Sequence, residues 1–171
     1  MKGRADLVGK VVSWEEAASF CRHQQRVGKR VVFTNGVFDL LHRGHVEYLA
    51  EAKALGDFLL IGVNDDVSAR TLGKGLERPI NNADDRMTVL AALECVDLVI
   101  PFEQETPLDL IAFLRPDVLV KGSDYTEEEV VGASEVRSTG GEVVLISLRE
   151  GYSTTEILER IRSAYTGTGS G

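Results

Sequence analysis

Cysteine is scarce in this sequence. Cys21 and Cys95 are the only two in 171 residues, too few and too far apart for a disulfide framework or a cysteine metal cluster. Two core thiols are the expectation. No apolar run approaches the ~20 residues that span a bilayer, and the opening Met1-Lys-Gly-Arg-Ala-Asp6 lacks the apolar stretch of a secretory leader. A cytoplasmic protein with no membrane partner is expected from this. Positive charge is also short: 19 Lys and Arg stand against 27 Asp and Glu, a formal net charge of −8. That balance argues against a nucleic-acid binder, whose affinity rests on neutralising phosphates. An anionic ligand would have to rely on local cations or a metal.

What is present reads as a globular domain: 43% hydrophobic and 27% charged residues in a chain long enough for one sizeable core. Short apolar runs at residues 31–34, 58–63, 97–100, 118–120 and 143–146 have the composition of buried strands. Helix signals fall between them. Ser13 with Glu16, Thr126 with Glu129 and Ser153 with Glu156 are capping boxes, each Ser or Thr followed three residues later by Glu. Asn82 can cap a helix to about residue 94, and Thr106-Pro107 supplies an N-cap and first residue. Residues 46–55 form a further helix ended by Gly56, and a short one runs to residue 72. The alternation predicts an α/β fold: a single Rossmann-like domain over residues 1–165, with a five-stranded parallel sheet and helices on both faces. Residues 166–171, all Gly, Ser and Thr, are expected to be a disordered tail.

Ligands of such sheets bind beyond the carboxyl ends of the strands. Four distinctive segments fall there: residues 34–45, 64–66, 121–125 and 151–155. The first is central. Strand one stops at Asn35-Gly36, and a helix begins near Gly44 with His42 and His45 on one side of its mouth. Unpaired amides and the helix dipole make such a mouth an anion site. Gly44 would let an anion approach the backbone. His42 and His45 could be a metal pair, although no third ligand at a recognisable spacing accompanies them. They could serve structure alone, or they could contact phosphate, which is the preferred reading. The dipole would keep them neutral in an empty site, yet a neutral imidazole N–H still bonds a phosphate oxygen. Other phosphate and hydrolase signatures are missing: no Gly-x-Gly-x-x-Gly follows strand one, and there is no Gly-x-x-x-x-Gly-Lys-Ser/Thr loop or Gly-x-Ser-x-Gly elbow.

Thr34-Asn-Gly-Val-Phe-Asp-Leu-Leu-His-Arg-Gly-His45 resembles the signature of the nucleotidyltransferase superfamily that includes cytidylyltransferases and small adenylyltransferases. Gly151-Tyr-Ser-Thr-Thr155 resembles its second nucleotide-binding motif. Arg78-Pro-Ile-Asn81 with Arg86, Phe102-Glu-Gln-Glu-Thr-Pro107, Leu119-Val-Lys-Gly-Ser-Asp-Tyr125 and Gly140-Gly-Glu-Val143 look like the adenylyltransferases of ADP-heptose synthesis. The likeness spans roughly residues 29–161, and no kinase-like sequence precedes it, so a free-standing enzyme is expected.

The resemblance implies transfer of AMP from ATP to D-glycero-D-manno-heptose 1-phosphate, with pyrophosphate leaving. It implies His42, His45 and Lys121 as catalytic residues. Thr34, Asn35, Gly36, Val37, Phe38, Arg78, Gly122, Asp124, Gly151, Ser153, Thr154 and Thr155 would bind the nucleotide. Asp39, Asn64, Asp66, Lys74 and Arg86 would face the acceptor, with Asp39 or Asp66 on sugar hydroxyls or Mg²⁺. That ion is expected as a counter-ion held mainly by phosphate oxygens. A homodimer or higher homo-oligomer is implied as well. Two departures stand out. Glu94-Cys-Val-Asp97 replaces an Arg-Tyr-Val-Asp segment of cytidylyltransferases, which favours ATP over CTP. Leu158 stands where one form of the second motif carries Arg, so Lys74, Arg78 or Lys121 must hold the outer phosphates. Two alternatives remain open: CTP-dependent transfer to another acceptor such as glycerol 3-phosphate, and a nucleotide-binding domain without turnover.

Overall fold

The computed structural model describes residues 9–72, 78–123, 126, 128–147 and 151–166. Helix α1 (Trp14–Arg26) opens on the complete Ser13–Glu16 capping box. It leads to β1 (Val31–Gly36), α2 (Arg43–Lys53), β2 (Phe58–Asn64), α3 (Asp66–Thr71) and α4 (Ala83–Ala91). Then follow β3 (Leu98–Phe102), α5 (Leu108–Leu114), β4 (Val118–Gly122), α6 (Ala133–Ser138), β5 (Glu142–Ile146) and α7 (Thr154–Thr166). The five strands form one parallel sheet in the order β3-β2-β1-β4-β5.

Alternate residues of each strand face opposite ways, and two cores result. Val32, Leu59, Ile61, Val99, Val118 and Val120 pack under Tyr48, Leu49 and Ala52 of α2 and Met87, Leu90 and Ala91 of α4. Val31, Phe33, Leu60, Ile100 and Leu119 pack under α1, α5 and α6. Cys21 belongs to this second core, where burial pushes its thiol up to about 12 and leaves it unreactive.

The strand order places the site. From β1 the chain winds outward through β2 to β3, then crosses back to lay β4 on the other side of β1. The carboxyl ends of β1 and β4 therefore splay apart at the reversal, leaving a crevice.

Several boundaries differ from expectation. Pro107 occupies the cap position of α5 rather than its first residue. The Thr126–Glu129 pair closes a turn, with the Thr126 amide and hydroxyl both donating to Glu129, and α6 starts only at Ala133. Lys121 and Gly122 are the last residues of β4 instead of following it. A parallel bridge from Val11 to Val99, with Val12 N–H donating to the Val99 carbonyl, adds an edge the sequence did not announce.

Candidate functional site

Helix α2 begins without a side-chain cap. Ser13, Asp65 and Asn82 each cap a helix by accepting a backbone N–H, but the N-cap of α2, His42, makes no side-chain capping bond. The His45 amide turns back to the His42 carbonyl at 3.0 Å, and no side chain caps the Arg43 and Gly44 amides ahead of it, the arrangement of an anion site. His45 is the third residue of the helix, and its ring stacks on that of His42 at 3.8 Å between centroids and 23° between planes. Phe38, buried and at φ 51°, sets its ring edge-on to His45 at 5.4 Å. A side chain on Gly36 would meet that ring at 3.1 Å. Sequence reasoning expected the dipole to hold His42 neutral. The structure gives burial as the larger cause of its lowered pKa, with Glu156 pulling the other way.

The second motif docks on this mouth. Tyr152 lies beside α2, and Ser153 caps α7 by accepting the Glu156 N–H at 3.0 Å. Thr154 Oγ1 donates to the Leu40 carbonyl at 3.5 Å, and Arg78 Nη2 donates to Thr155 Oγ1 at 3.4 Å. Gly151 turns with φ 77° just ahead. From the other side, Lys121 Nζ reaches across from β4 to the Asn35 carbonyl at 3.3 Å. The structure thus brings His42, His45, Lys121, Arg78 and residues 151–155 around the crevice between β1 and β4.

Gly44 also has a packing reason. A Cβ there would lie 3.1 Å from Tyr152 Cβ and 3.2 Å from His42 Nδ1, so the missing side chain makes room for the second motif. Gly44→Ala should displace Tyr152 and the residues behind it. We expect about 1 kcal/mol lost in denaturant unfolding and weaker nucleotide binding; unchanged binding would contradict that packing.

Several expected contacts prove to be framework. Thr34 is fully buried and bonds Tyr48 Oη at 2.8 Å, so its side chain faces the core rather than a nucleotide. Arg86, expected on the acceptor, is 1% exposed. It donates to the carbonyls of Asn81 (3.0 Å), Val37 (2.6 Å) and Asn64 (2.9 Å) and to Asp66 Oδ1 (2.9 Å). Asn64 is buried too, with its amide on Ser68 Oγ. A guanidinium so placed holds the loops together, and its four bonds are all to the protein itself. Asp66 keeps one oxygen outside that pair and is partly exposed. Asp39 Oδ1 accepts the amides of Ile80 (2.8 Å) and Asn81 (3.0 Å), which pins the loop carrying Arg78. Lys74 and Asp124 lie outside the described residues.

Asp39→Ala would leave those two amides without their acceptor and free the loop. We expect about 2 kcal/mol of lost stability and a KM for the nucleotide raised more than kcat is lowered. An unchanged KM would separate Asp39 from the position of Arg78.

Glu94-Cys-Val-Asp97 lies at the opposite edge of the sheet. Asp97 accepts the Leu59 amide at 2.7 Å and pairs with Lys53 at 2.5 Å, both at the amino ends of the strands. The seven-residue β2 is about 20 Å long. The segment therefore sits at the other end of the strands from the mouth. Among the described residues no three His, Cys, Asp or Glu side chains converge to hold a metal, and His42 and His45 do not acquire a third ligand. No helix among them is long and apolar enough to cross a membrane.

The family described as cytidylyltransferase-like matches residues 33–160. The bifunctional protein HldE of Pelobacter propionicus is 49% identical over 162 residues, covering 95% of this chain and 33% of the relative. That of Salmonella newport is 48% identical over 163 residues, covering 95% of this chain and 34% of the relative. The chain thus spans about a third of the length of the curated relatives it matches. A crystal structure of the lipopolysaccharide core biosynthesis protein from Thermoplasma volcanium superposes with TM-score 0.63 at 33% identity, over 72% of this chain and all of that one. Pantoate-beta-alanine ligase from Francisella tularensis superposes with TM-score 0.60 at 13% identity, over 89% and 76% of the two chains, and shows the shared fold alone.

Proposed function

Because this chain belongs to the cytidylyltransferase-like family, we propose that it transfers AMP from ATP to a sugar 1-phosphate, D-glycero-D-manno-heptose 1-phosphate by its motifs, for lipopolysaccharide or surface-glycan precursors. The observation that carries the reading is the paired mouth: α2 without a side-chain cap, two stacked imidazoles, and the first turn of α7 beside them.

In this mechanism a phosphate oxygen of the acceptor attacks the α-phosphorus of ATP. The new P–O bond forms as the bond to pyrophosphate breaks, and pyrophosphate leaves with the electron pair. A phosphate monoester is largely ionised at neutral pH, its second pKa being about 6, so no general base is required. The enzyme aligns two anions and neutralises the charge that moves onto the leaving group. His42 and His45 donate to the triphosphate, joined by the α2 amides and by Ser153, Thr154 and Thr155. Lys121, at the β1–β4 reversal, serves the phosphate of either substrate. Arg78, held at Thr155, supplies from another loop the cation that Leu158 cannot. Asn35 to Phe38, Gly122 and Gly151 line the nucleotide, with Asp39 and Asp66 nearest the acceptor. Bound mainly by the phosphate oxygens, Mg²⁺ would supply charge that offsets the repulsion between the substrates.

Residues 1–165 as one catalytic domain, a homodimer and a cytoplasmic location belong to the same proposal. Pyrophosphate release, measured with ATP or CTP against heptose 1-phosphate or glycerol 3-phosphate, tests it. Release with ATP and heptose phosphate is expected and should vanish without Mg²⁺. Release only with CTP and glycerol 3-phosphate would reverse the substrate assignment, and ATP binding without turnover on any acceptor would remove catalysis.

A further inference from the structure

We propose that Glu156 is a positioning residue for His42: it accepts the inner imidazole proton, so that His42 meets the bound triphosphate as an imidazolium. This rests on the paired mouth being the triphosphate site. His42 Nδ1 and Glu156 Oε2 are both buried atoms without a hydrogen-bond partner, and they belong to the facing first turns of α2 and α7. No hydrogen bond joins them in this structure; buried polar atoms left unpaired are costly, and a proton on His42 Nδ1 would draw Glu156 Oε2 onto it.

The contrast with α1 is informative. There the Glu of the capping box reaches back, and Ser13 N–H donates to Glu16 Oε2 at 2.9 Å. In α7 the serine half of the box is made, Glu156 N–H to Ser153 Oγ, yet Glu156 Oε2 is bonded to nothing. A lone carboxylate beside a triphosphate would repel it. Beside an imidazolium it becomes that cation's counter-charge, and Nδ1–H to Glu156 leaves Nε2–H for a phosphate oxygen.

The surroundings allow one such proton. His45 stacks at 3.8 Å, so charging both rings is disfavoured. Tyr152 lies 6.4 Å from His42, Arg43 is occupied by Glu47, Arg78 stands at Thr155 and Lys121 at the Asn35 carbonyl. Among these groups Glu156 raises the pKa of His42 against the effect of burial. Binding of the nucleotide to the neutral empty site then takes one proton from solvent.

Calorimetry of Mg²⁺ with α,β-methylene-ATP, in buffers of different ionisation enthalpy, counts that proton. The wild type should take up about one proton more than Glu156→Gln, and its affinity should rise by up to tenfold per pH unit as pH falls through the bound-state value. At high pH, where His42 is neutral, Glu156→Gln should bind at least as tightly as the wild type, whereas a purely structural residue would weaken binding at every pH. In His42→Asn the Glu156→Gln change should have no effect on uptake. Equal proton uptake in wild type and Glu156→Gln overturns the pairing. A ligand-free NMR titration keeps this separate from the proposed function: the His42 midpoint should fall in Glu156→Gln, and an unchanged midpoint overturns the pairing even if nucleotide binds. Failure of both proteins to bind the nucleotide would overturn the triphosphate site itself.

Discussion

Replacing His45 with alanine is expected to lower kcat about 100-fold or more while the protein stays folded. An imidazole that donates to the triphosphate is worth most when charge has moved toward the leaving pyrophosphate. Removing one such preorganised donor costs on the order of 3 kcal/mol of transition-state stabilisation. His45 is half-buried and its ring leans on Phe38 and His42, so the stability lost with it is an edge contact of about 0.5–1 kcal/mol. KM for ATP should move far less than kcat, because the amides of α2 and the Ser153–Thr155 turn still hold the ground state. Single-turnover kinetics separates chemistry from binding. An unchanged kcat would remove His45 from the chemistry.

Arg86→Met should destabilise the fold by about 3–5 kcal/mol, lowering Tm by about 10 °C or more for a domain of this size. The Arg86 side chain is enclosed, and its four hydrogen bonds tie Val37, Asn64, Asp66 and Asn81 to α4. Removing it leaves three carbonyls and a carboxylate without their donor. Methionine fills much of the volume but none of the polarity. Lysine should not rescue the protein, since a point charge cannot replace a planar fork. Because Val37 precedes Phe38, which backs His45, activity should fall along with stability. Thermal unfolding is the measurement; a Tm within a few degrees of wild type would mean that the network contributes little.

The strands were legible because a parallel sheet covered on both faces writes itself as uninterrupted apolar runs. The central motif was legible because a strand end, a tight turn and a helix start with two histidines have few other uses. Elements that depend on distant partners were not legible. Strand β3 runs past residue 100 to Phe102, and the Pro101 carbonyl within it accepts the indole N–H of the distant Trp14. Residues 10–12 are too few to show a strand pattern and needed β3 beside them. Arg86 and Thr34 carry polar groups that suggest ligands, and only the fold reveals that Asp66 and Tyr48 occupy them. Glu156 looked like an ordinary capping-box residue, and nothing local announced His42 across the crevice. Which end of the strands holds the Glu94–Asp97 segment was not legible either, because Lys53 and the Leu59 amide that fix Asp97 are distant in sequence.

A crystal structure with Mg²⁺ and α,β-methylene-ATP tests the triphosphate site most directly. Density for the β- and γ-phosphates should lie between the His42–His45 stack, the first-turn amides of α2 and the Ser153–Thr155 turn, with Arg78 and Lys121 turned toward it. Density at the other edge of the sheet, near Asp57 and Asp97, would contradict it.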